Sequence, residues 1–170
     1  IKIINDDILN IDLDEFKGYN KIVGNLPYYI TTPIIFKVLS YTFFEKIIFM
    51  VQKEVAERII AEPGSKTYGR LSVMVQALSE TEKKFDISKN IFYPKPKVDS
   101  SLIELNIKRN NSIKNQILFS EIVKKSFGQR RKILKNSLKD LIPLEAYSKY
   151  KNKRAEELSV DNYIEISNNI

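Results

Sequence analysis

The stretch that decides the fold runs from Asn20 to Tyr29 and reads NKIVGNLPYY. Its apolar run ends at Gly24 and Asn25, as expected of a buried strand that stops at a turn. Pro27 restricts Leu26 to extended conformations, so the turn has a fixed direction. An Asn, a rigid turn and an aromatic at a strand end can hold a flat base by its edge and its face. The alternative is a strand-ending turn that binds nothing.

Strand and helix patterns alternate on both sides of this stretch. Lys2-Ile3-Ile4 is expected to end a strand, and Thr31-Thr32-Pro33 to begin a helix with an apolar stripe at helical spacing. Alternating strands and helices indicate an α/β sheet, in which the last two strands form a hairpin-like pair without a helix between them. The other predicted strands are Lys46–Gln52, Glu82–Ile87 and Ser101–Ile107, and the other predicted helices are Glu54–Ala61 and one that begins at Tyr68.

The polar break at Asn110-Asn111-Ser112 divides the chain. We interpret it as the boundary between an α/β domain, residues 1–110, and an all-helical domain, residues 111–170. Beyond the break, the apolar pattern predicts helices at about residues 118–127, 130–142 and 160–169.

The net charge of +7 is concentrated towards the C-terminus. Residues 108–154 contain fourteen Lys and Arg against three acidic residues and carry a net charge of +11, so the remainder carries −4. A basic part beside a mildly acidic part indicates a polyanion-binding module attached to a second domain. A solvated charged surface is the alternative.

The composition excludes several kinds of chemistry. The chain has no Cys and no His, which excludes disulfides, thiolate and imidazole metal sites, Cys nucleophiles and Ser-His-Asp triads. No apolar run approaches the roughly 20 residues of a membrane span, and no signal peptide is visible. We therefore expect neither a metal nor a membrane partner, and a cytoplasmic location fits.

Residues 25–28 suit chemistry on the amino group of adenine. That nitrogen is a poor nucleophile because its lone pair is delocalised into the ring, and acceptors for both of its protons can redirect the lone pair. The Asn25 side-chain oxygen and the Leu26 carbonyl, directed by Pro27, are suitable acceptors, and Tyr28 can stack on the base. With a sulfonium methyl donor no strong base is needed, so the rate comes mainly from positioning and electrostatics.

Three further features could serve the same chemistry. Phe92 begins a stiff, proline-containing loop and could contact the other face of a flipped base, unless it is a core aromatic. Asp7 could accept a hydrogen bond from the adenine amine of a nucleotide-like cofactor, although an acid there is more often a turn residue. Arg130, Arg131, Lys132 and Lys135 could reach RNA phosphates across a helix junction.

A series of motifs in this order resembles the ribosomal RNA adenine dimethyltransferases, most closely the small-subunit (16S-type) branch, over essentially the whole chain. Asn25-Leu26-Pro27-Tyr28 resembles the family's N-[LI]-P-[YF] catalytic motif, and Phe92–Ser101 resembles the loop that supplies a second stacking aromatic. The other matching segments are Glu54–Ile59, Pro63–Lys66, Tyr68–Val73, Phe127–Lys132, Asn136–Leu138 and Arg154–Ser159. The series is specific, whereas one such tetrapeptide would not be.

The resemblance implies a partial Rossmann-like methyltransferase sheet in residues 1–110 and a helical RNA-binding domain in residues 111–170. It implies methyl transfer from S-adenosyl-L-methionine to N6 of two adjacent adenines in the 3′-terminal hairpin of small-subunit rRNA in the pre-30S subunit, by a monomer. Asn25, Leu26, Pro27, Tyr28 and Phe92 would be catalytic, Asp7, Ile8 and Asn25 would bind the cofactor, and Lys95, Lys97, Arg130, Arg131, Lys132 and Lys135 would bind RNA.

One departure from the family concerns the cofactor. The glycine-rich loop and the acid for the ribose hydroxyls, which precede this region in the family, are absent from the chain, as are the first two strands. We therefore expect a truncated chain that binds the cofactor weakly or not at all, is inactive alone and can associate through an open strand edge. A cofactor affinity equal to that of the full-length family would contradict this expectation.

Two other functions remain open. The macrolide-resistance branch methylates large-subunit (23S) rRNA on the same fold, and Leu26 and the segment Tyr68–Ser72 favour the small-subunit branch over it. A non-enzymatic RNA-binding relative would have no need for residues 25–28. A DNA adenine methyltransferase is less favoured, because the basic helices belong to the rRNA branch.

Overall fold

A mixed four-stranded sheet forms the centre of the N-terminal part. The computed structural model describes residues 3–109, 112–129 and 131–170. The strands are β1 (Lys21–Asn25), β2 (Lys46–Gln52), β3 (Ser79–Ile87) and β4 (Ser100–Ile107). β1 pairs in parallel with β2, while β2 and β3 both pair antiparallel with β4, which gives the order β1-β2-β4-β3. The predicted α/β class and the hairpin-like final pair are thereby confirmed.

Six α-helices accompany these strands in the described ranges. They are α1 (Thr31–Leu39), α2 (Lys53–Ile59), α3 (Arg70–Leu78), α4 (Gln116–Gly128), α5 (Leu134–Leu138) and α6 (Val160–Asn168). Short 3-10 segments lie at Leu13–Phe16, Tyr28–Ile30, Lys89–Ile91, Leu144–Tyr150 and Ala155–Glu157. None of the described helices is long and apolar enough to cross a membrane.

The first of two compact units comprises Ile1–Ala56 and Ser79–Arg109, and therefore contains all four strands. Alternate side chains of β2 are buried and lie beside buried side chains of β4 on the same side of the sheet, because Phe49 pairs in register with Ile103 and Ile47 with Leu105. The predicted stripe on α1 is buried as well, at Ile34, Ile35, Val38 and Leu39.

A charged cluster fastens the β3–β4 hairpin of this unit. The Asp86 carboxylate lies 2.9 Å from the Lys53 ammonium and 3.1 Å from that of Lys83, and it accepts a 2.7 Å hydrogen bond from the Ser101 hydroxyl. The bond to Lys53, followed by those to Ser101 and Lys83, lowers the pKa of Asp86 well below its ordinary value.

The strand predicted at Lys2-Ile3-Ile4 is not formed at Ile3 and Ile4, and Lys2 lies outside the described residues. Ile3 is 87% exposed. A strand is stabilised by a hydrogen-bonded neighbour, and in the described sheet β1, with β2 as its partner, is the edge strand on this side. Ile3 and Ile4 have the composition of a strand but do not pair with another strand. The apolar pattern alone could not show whether a pairing partner exists.

The second compact unit comprises Glu57–Leu78 and Asn110–Ile170. Its core combines residues from α3 and from the C-terminal helices, among them Val73, Phe119, Ile122 and Tyr163. Two buried tyrosines of this unit donate hydrogen bonds from their hydroxyls to backbone carbonyls. The Tyr68 hydroxyl donates to the Leu158 carbonyl, 3.0 Å away, and the Tyr163 hydroxyl to that of Ala155, 2.9 Å away.

The two units divide the chain differently from the predicted boundary at residue 110. Glu57–Leu78 lies between two strands in sequence but groups with the C-terminal helices, because Tyr68, Val73 and Ala77 belong to their hydrophobic core. The helix predicted at about residues 130–142 is also much shorter. α5 spans Leu134–Leu138, since Ile133 has an extended backbone and forms a bridge with Arg154.

Candidate active site at the end of β1

Asn25 is the last residue of β1, at the end of the strand where ligands bind in open α/β sheets. It pairs with Met50 of β2, and the next residue, Leu26, donates its backbone N–H to the Met50 carbonyl over 3.1 Å. The Leu26 side chain is buried, whereas Asn25 is exposed. The sheet therefore fixes the backbone of the motif and leaves the Asn25 amide accessible.

One backbone carbonyl in the turn after Asn25 already accepts hydrogen bonds within the protein. The Pro27 carbonyl accepts from the Ile30 N–H at 3.2 Å and from the Thr31 hydroxyl at 3.0 Å. These bonds hold the start of α1 against the turn. They make the Leu26 carbonyl, one residue earlier, the better placed candidate for a ligand proton.

Gly24 pairs with Phe49 of β2, and its lack of a side chain leaves room for the side chains of Leu26 and Phe49. A Cβ atom at this position would lie 3.1 Å from Cδ2 of Leu26 and 3.3 Å from the ring of Phe49. Both neighbours are buried, so neither side chain can move away at low cost. The glycine before Asn25 therefore has a packing reason that the motif alone did not indicate.

Tyr28 follows the turn and is half-buried. Its hydroxyl forms a 2.9 Å hydrogen bond with Oγ of Ser100, which is fully buried at the start of β4. Because a buried hydroxyl favours a hydrogen-bonded state, this contact orients the aromatic ring. Ser100 was not among the predicted site residues, and only its position in the Phe92–Ser101 motif could have indicated a role.

The loop that carries Phe92 is held at both ends. The Asp99 carboxylate accepts from the Lys89 backbone N–H at 2.9 Å, and the Asp99 carbonyl accepts from the Lys53 N–H at 3.0 Å. The Lys89 ammonium donates to the Lys97 carbonyl over 3.3 Å. Phe92 is half-buried in this loop, so it is not the fully buried core aromatic that was the alternative.

A cavity of about 370 Å³ brings the predicted catalytic residues together. This volume is in the range of small-molecule sites, which starts at roughly 300 Å³. Its walls combine the turn after β1 with the Phe92 loop and Met50. They comprise Asn25, Leu26, Pro27, Tyr28, Met50, Phe92, Tyr93, Pro94 and Pro96. An amide, a backbone turn and three aromatic rings thus surround one space.

The residues predicted to bind the cofactor lie partly elsewhere. Asp7 is exposed, and its carboxylate accepts a 2.9 Å hydrogen bond from the Leu9 N–H, as in the turn interpretation. Ile8 lines a second, apolar cavity of about 430 Å³ together with Ile22 and Phe44. A carboxylate has further acceptor positions, and Ile8 is only half-buried beside the apolar space. The carboxylate acceptor of Asp7 fits the amine of an adenine, and the apolar surface beside Ile8 fits its flat face.

The basic residues occupy the second unit. Arg131 and Lys132 line a cavity of about 570 Å³ with Gly128 and Gln129, and Lys135 is exposed on α5. Arg130 lies outside the described residues. In the first unit, Lys95 and Lys97 are exposed on the Phe92 loop.

Two cations that were not predicted belong with this group. Lys124 and Lys125 on α4 line an adjacent cavity of about 490 Å³, which also contains Gly128 and Gln129. Lys125 and Lys124 lie three and four residues before Gly128 and are therefore on the same helix face as Gly128. This spacing can be read from the sequence and could have indicated both residues.

Comparison with known proteins gives a family for the chain. The family model of the ribosomal RNA adenine dimethylases matches residues 1–170. A ribosomal RNA small subunit methyltransferase A of Caldanaerobacter subterraneus subsp. tengcongensis is 44% identical, over 99% of this chain and 69% of its own length. The protein of that name from Francisella tularensis subsp. novicida is 41% identical, over 98% of this chain and 68% of its own length.

Two solved structures share the fold. A dimethyladenosine transferase from Plasmodium falciparum matches with a TM-score of 0.79 and 24% identity, over 87% of this chain. The 23S rRNA methyltransferase ErmE matches with a TM-score of 0.63 and 22% identity, over 88% of this chain. The chain spans 65% and 64% of these two proteins, which is less than two thirds of either.

The Rossmann-like methyltransferase fold is thereby confirmed. The family and the curated relatives are named as rRNA adenine dimethylases and methyltransferases, which is the class of activity that the motifs predicted. The chain belongs to the ribosomal RNA adenine dimethylase family.

Proposed function

We propose that this chain carries the target-base site of an enzyme that methylates N6 of two adjacent adenines in the 3′-terminal hairpin of small-subunit (16S) rRNA during ribosome biogenesis. The observation that carries the proposal is the single cavity lined by Asn25, Tyr28 and Phe92. It joins a hydrogen-bonding amide to two aromatic rings, as recognition of a flipped base requires.

Asn25 and Leu26 orient the adenine amine. The exposed Asn25 side-chain oxygen accepts one N6 proton, and the Leu26 carbonyl accepts the other. These bonds draw the nitrogen towards tetrahedral geometry and direct its lone pair. Pro27 contributes by geometry, because its own carbonyl is engaged by Ile30 and Thr31.

Tyr28 and Phe92 hold the base by its faces. Stacking on an aromatic ring contributes about 1–3 kcal/mol per base. The Ser100 hydroxyl keeps Tyr28 in place, and the anchored loop keeps Phe92 in place, so little ordering remains when the base enters. Catalysis then depends on positioning, with no strong base.

S-adenosyl-L-methionine, when bound, supplies an electrophilic methyl group. Asp7 would accept from its adenine amine, Ile8 would cover the adenine, and Asn25 would lie near the methionine end. The exposed carboxylate of Asp7 and the apolar space beside Ile8 support this assignment.

The basic residues would contact the rRNA backbone. Arg131, Lys132 and Lys135 are exposed, as are Lys95 and Lys97 beside the proposed target cavity, and Arg130 completes the proposed set. The net charge of +11 over residues 108–154 supports a polyanionic partner, which we propose to be the pre-30S subunit in the cytoplasm, bound by a monomer.

The alternative substrate is 23S rRNA, because ErmE shares the fold. The curated relatives at 44% and 41% identity are named for the small subunit, and this favours the proposed substrate. A non-enzymatic RNA-binding role is less favoured, because a binding module does not require an accessible amide between two aromatic rings.

A methylation assay distinguishes these functions. The full-length protein, incubated with radiolabelled S-adenosyl-L-methionine, is expected to label adenines of isolated 30S subunits but not 23S rRNA. Labelling of 23S rRNA alone would favour the macrolide-resistance function. Binding to both RNAs without any labelling would favour the non-enzymatic function.

A further inference from the structure

Tyr93 is the most exposed large side chain beside the target cavity. Its relative exposure is 102%, whereas its neighbour Phe92 is half-buried. Phe92 has an extended backbone (φ −99°, ψ 147°), so consecutive side chains point in opposite directions. The Tyr93 ring therefore projects into solvent where Phe92 turns inward.

Single exposed apolar side chains are common and need no explanation. Tyr93 differs in its surroundings, because the residue itself lines the cavity of Asn25 and Tyr28. Two exposed cations, Lys95 and Lys97, follow it on the same anchored loop. An aromatic ring beside cations at the rim of a base-sized cavity is the arrangement with which proteins bind single-stranded nucleic acids.

We propose that Tyr93 stacks on the nucleotide next to the target adenine and so selects an unpaired neighbour. The proposal rests on the proposed function, in which the cavity admits one flipped base. The adjoining nucleotide is connected to that base by the backbone and remains outside, on the rim. Tyr93 offers that nucleotide an aromatic face. Lys95 and Lys97 follow Tyr93 closely in sequence and would bind the phosphate between the two nucleotides.

If Tyr93 makes this contact, the affinity for RNA depends on the base next to the target adenine. Tyr93→Ala and Tyr93→Phe are compared with the unchanged full-length protein in equilibrium binding to a single-stranded oligoribonucleotide that contains one adenine, flanked on both sides by other nucleotides. A second oligonucleotide carries an abasic ribose at both positions next to that adenine. Ile91→Ala is the control, because Ile91 is 73% exposed on the same loop but does not line the cavity.

Tyr93→Ala is expected to weaken binding of the first oligonucleotide roughly 5- to 140-fold, the range for loss of one base stack. Tyr93→Phe and Ile91→Ala should remain within about twofold, since the first keeps an aromatic ring and the second removes no ring. With the abasic oligonucleotide, Tyr93→Ala and the unchanged protein should bind alike.

Unchanged binding by Tyr93→Ala would overturn the proposal. A loss that persists with the abasic oligonucleotide would also overturn it, because Tyr93 would then support the loop and not a neighbouring base. The binding readout is separate from the methylation assay. If the full-length protein binds as expected but methylates neither ribosomal RNA, the proposed function fails while the stacking contact stands.

Discussion

The hydroxyl of Tyr28 and Oγ of Ser100 lie 2.9 Å apart, although 72 residues separate them in the chain. Ser100 is fully buried at the first position of β4, and Tyr28 follows the turn after β1. The bond joins the proposed base-stacking ring to a buried residue of the sheet in the first unit. It orders the ring before any base arrives, which reduces the entropy lost on binding.

Ser100→Ala is expected to lower kcat/KM of the full-length protein for 30S subunits about tenfold, because a mispositioned ring stacks the base poorly. The free energy of unfolding should fall by only about 1 kcal/mol, the net value of one hydrogen bond. Methylation kinetics and chemical denaturation measure the two effects.

The matched control is Ser101→Ala, since Ser101 is equally buried but donates to Asp86. It should reduce stability and leave kcat/KM within about twofold, as expected for a change that does not touch the ring. Tyr28→Phe combined with Ser100→Ala should be no worse than either change alone. Fully additive losses would show that the hydrogen bond does not position the ring.

Asn25→Ala is expected to lower methylation by about 100-fold or more, because it removes an acceptor aimed at the reacting amine. Affinity for rRNA should change less than about threefold, since the basic residues supply most of the binding energy. Filter binding and methylation of 30S subunits measure the two. Asn20→Ala is the control, because Asn20 precedes β1 and bonds to Glu45 at the surface. Equal loss of binding and activity in Asn25→Ala would mean that Asn25 is structural.

Arg131→Ala and Lys132→Ala should weaken RNA binding uniformly across sequences. Each is expected to reduce the slope of log Kd against log salt by about 0.7 to 0.9, as one phosphate contact is lost. Titrations from low to high salt measure the slope. Lys17→Ala removes a cation that pairs with Asp14 in the first unit and should leave the slope unchanged. An unchanged slope in the first two variants would place the RNA elsewhere.

Asp86 should make the first unit sensitive to acid. Its pKa is lowered by Lys53, then Ser101 and Lys83, so its contribution to stability is present above the unfolded-state pKa of about 3.9. That contribution is lost as the pH falls through and below this value. Asp86→Asn should therefore lower Tm at pH 7 and reduce the further fall in Tm between pH 5 and pH 3. Glu54→Gln, at an exposed position of α2, is the control, and an acid response of Asp86→Asn identical to that of the unchanged protein would contradict the prediction.

Local patterns predicted most elements of the fold. The stripe on α1 and the alternation in β4 each reflect a periodicity that the backbone itself imposes. The apolar run before Asn25 forms a strand as predicted, but the prediction that this strand is buried is wrong, because no residue of β1 is buried and Val23 is 73% exposed. The failures have non-local causes. Ile3 and Ile4 look like strand residues but make no ladder, and α5 begins only at Leu134, after the predicted start, because Ile133 is extended and pairs with Arg154.

The sequence by itself determined the family, the fold class and the identity of the residues that suit adenine chemistry, because the motifs are contiguous and keep their order. Only the tertiary structure decided that Tyr28 and Phe92 share one cavity with Asn25, that Ser100 holds Tyr28, and that Glu57–Leu78 packs with the C-terminal helices. These relationships depend on strand order and on burial of distant side chains. They arise when non-local contacts close, and no local spacing encodes them.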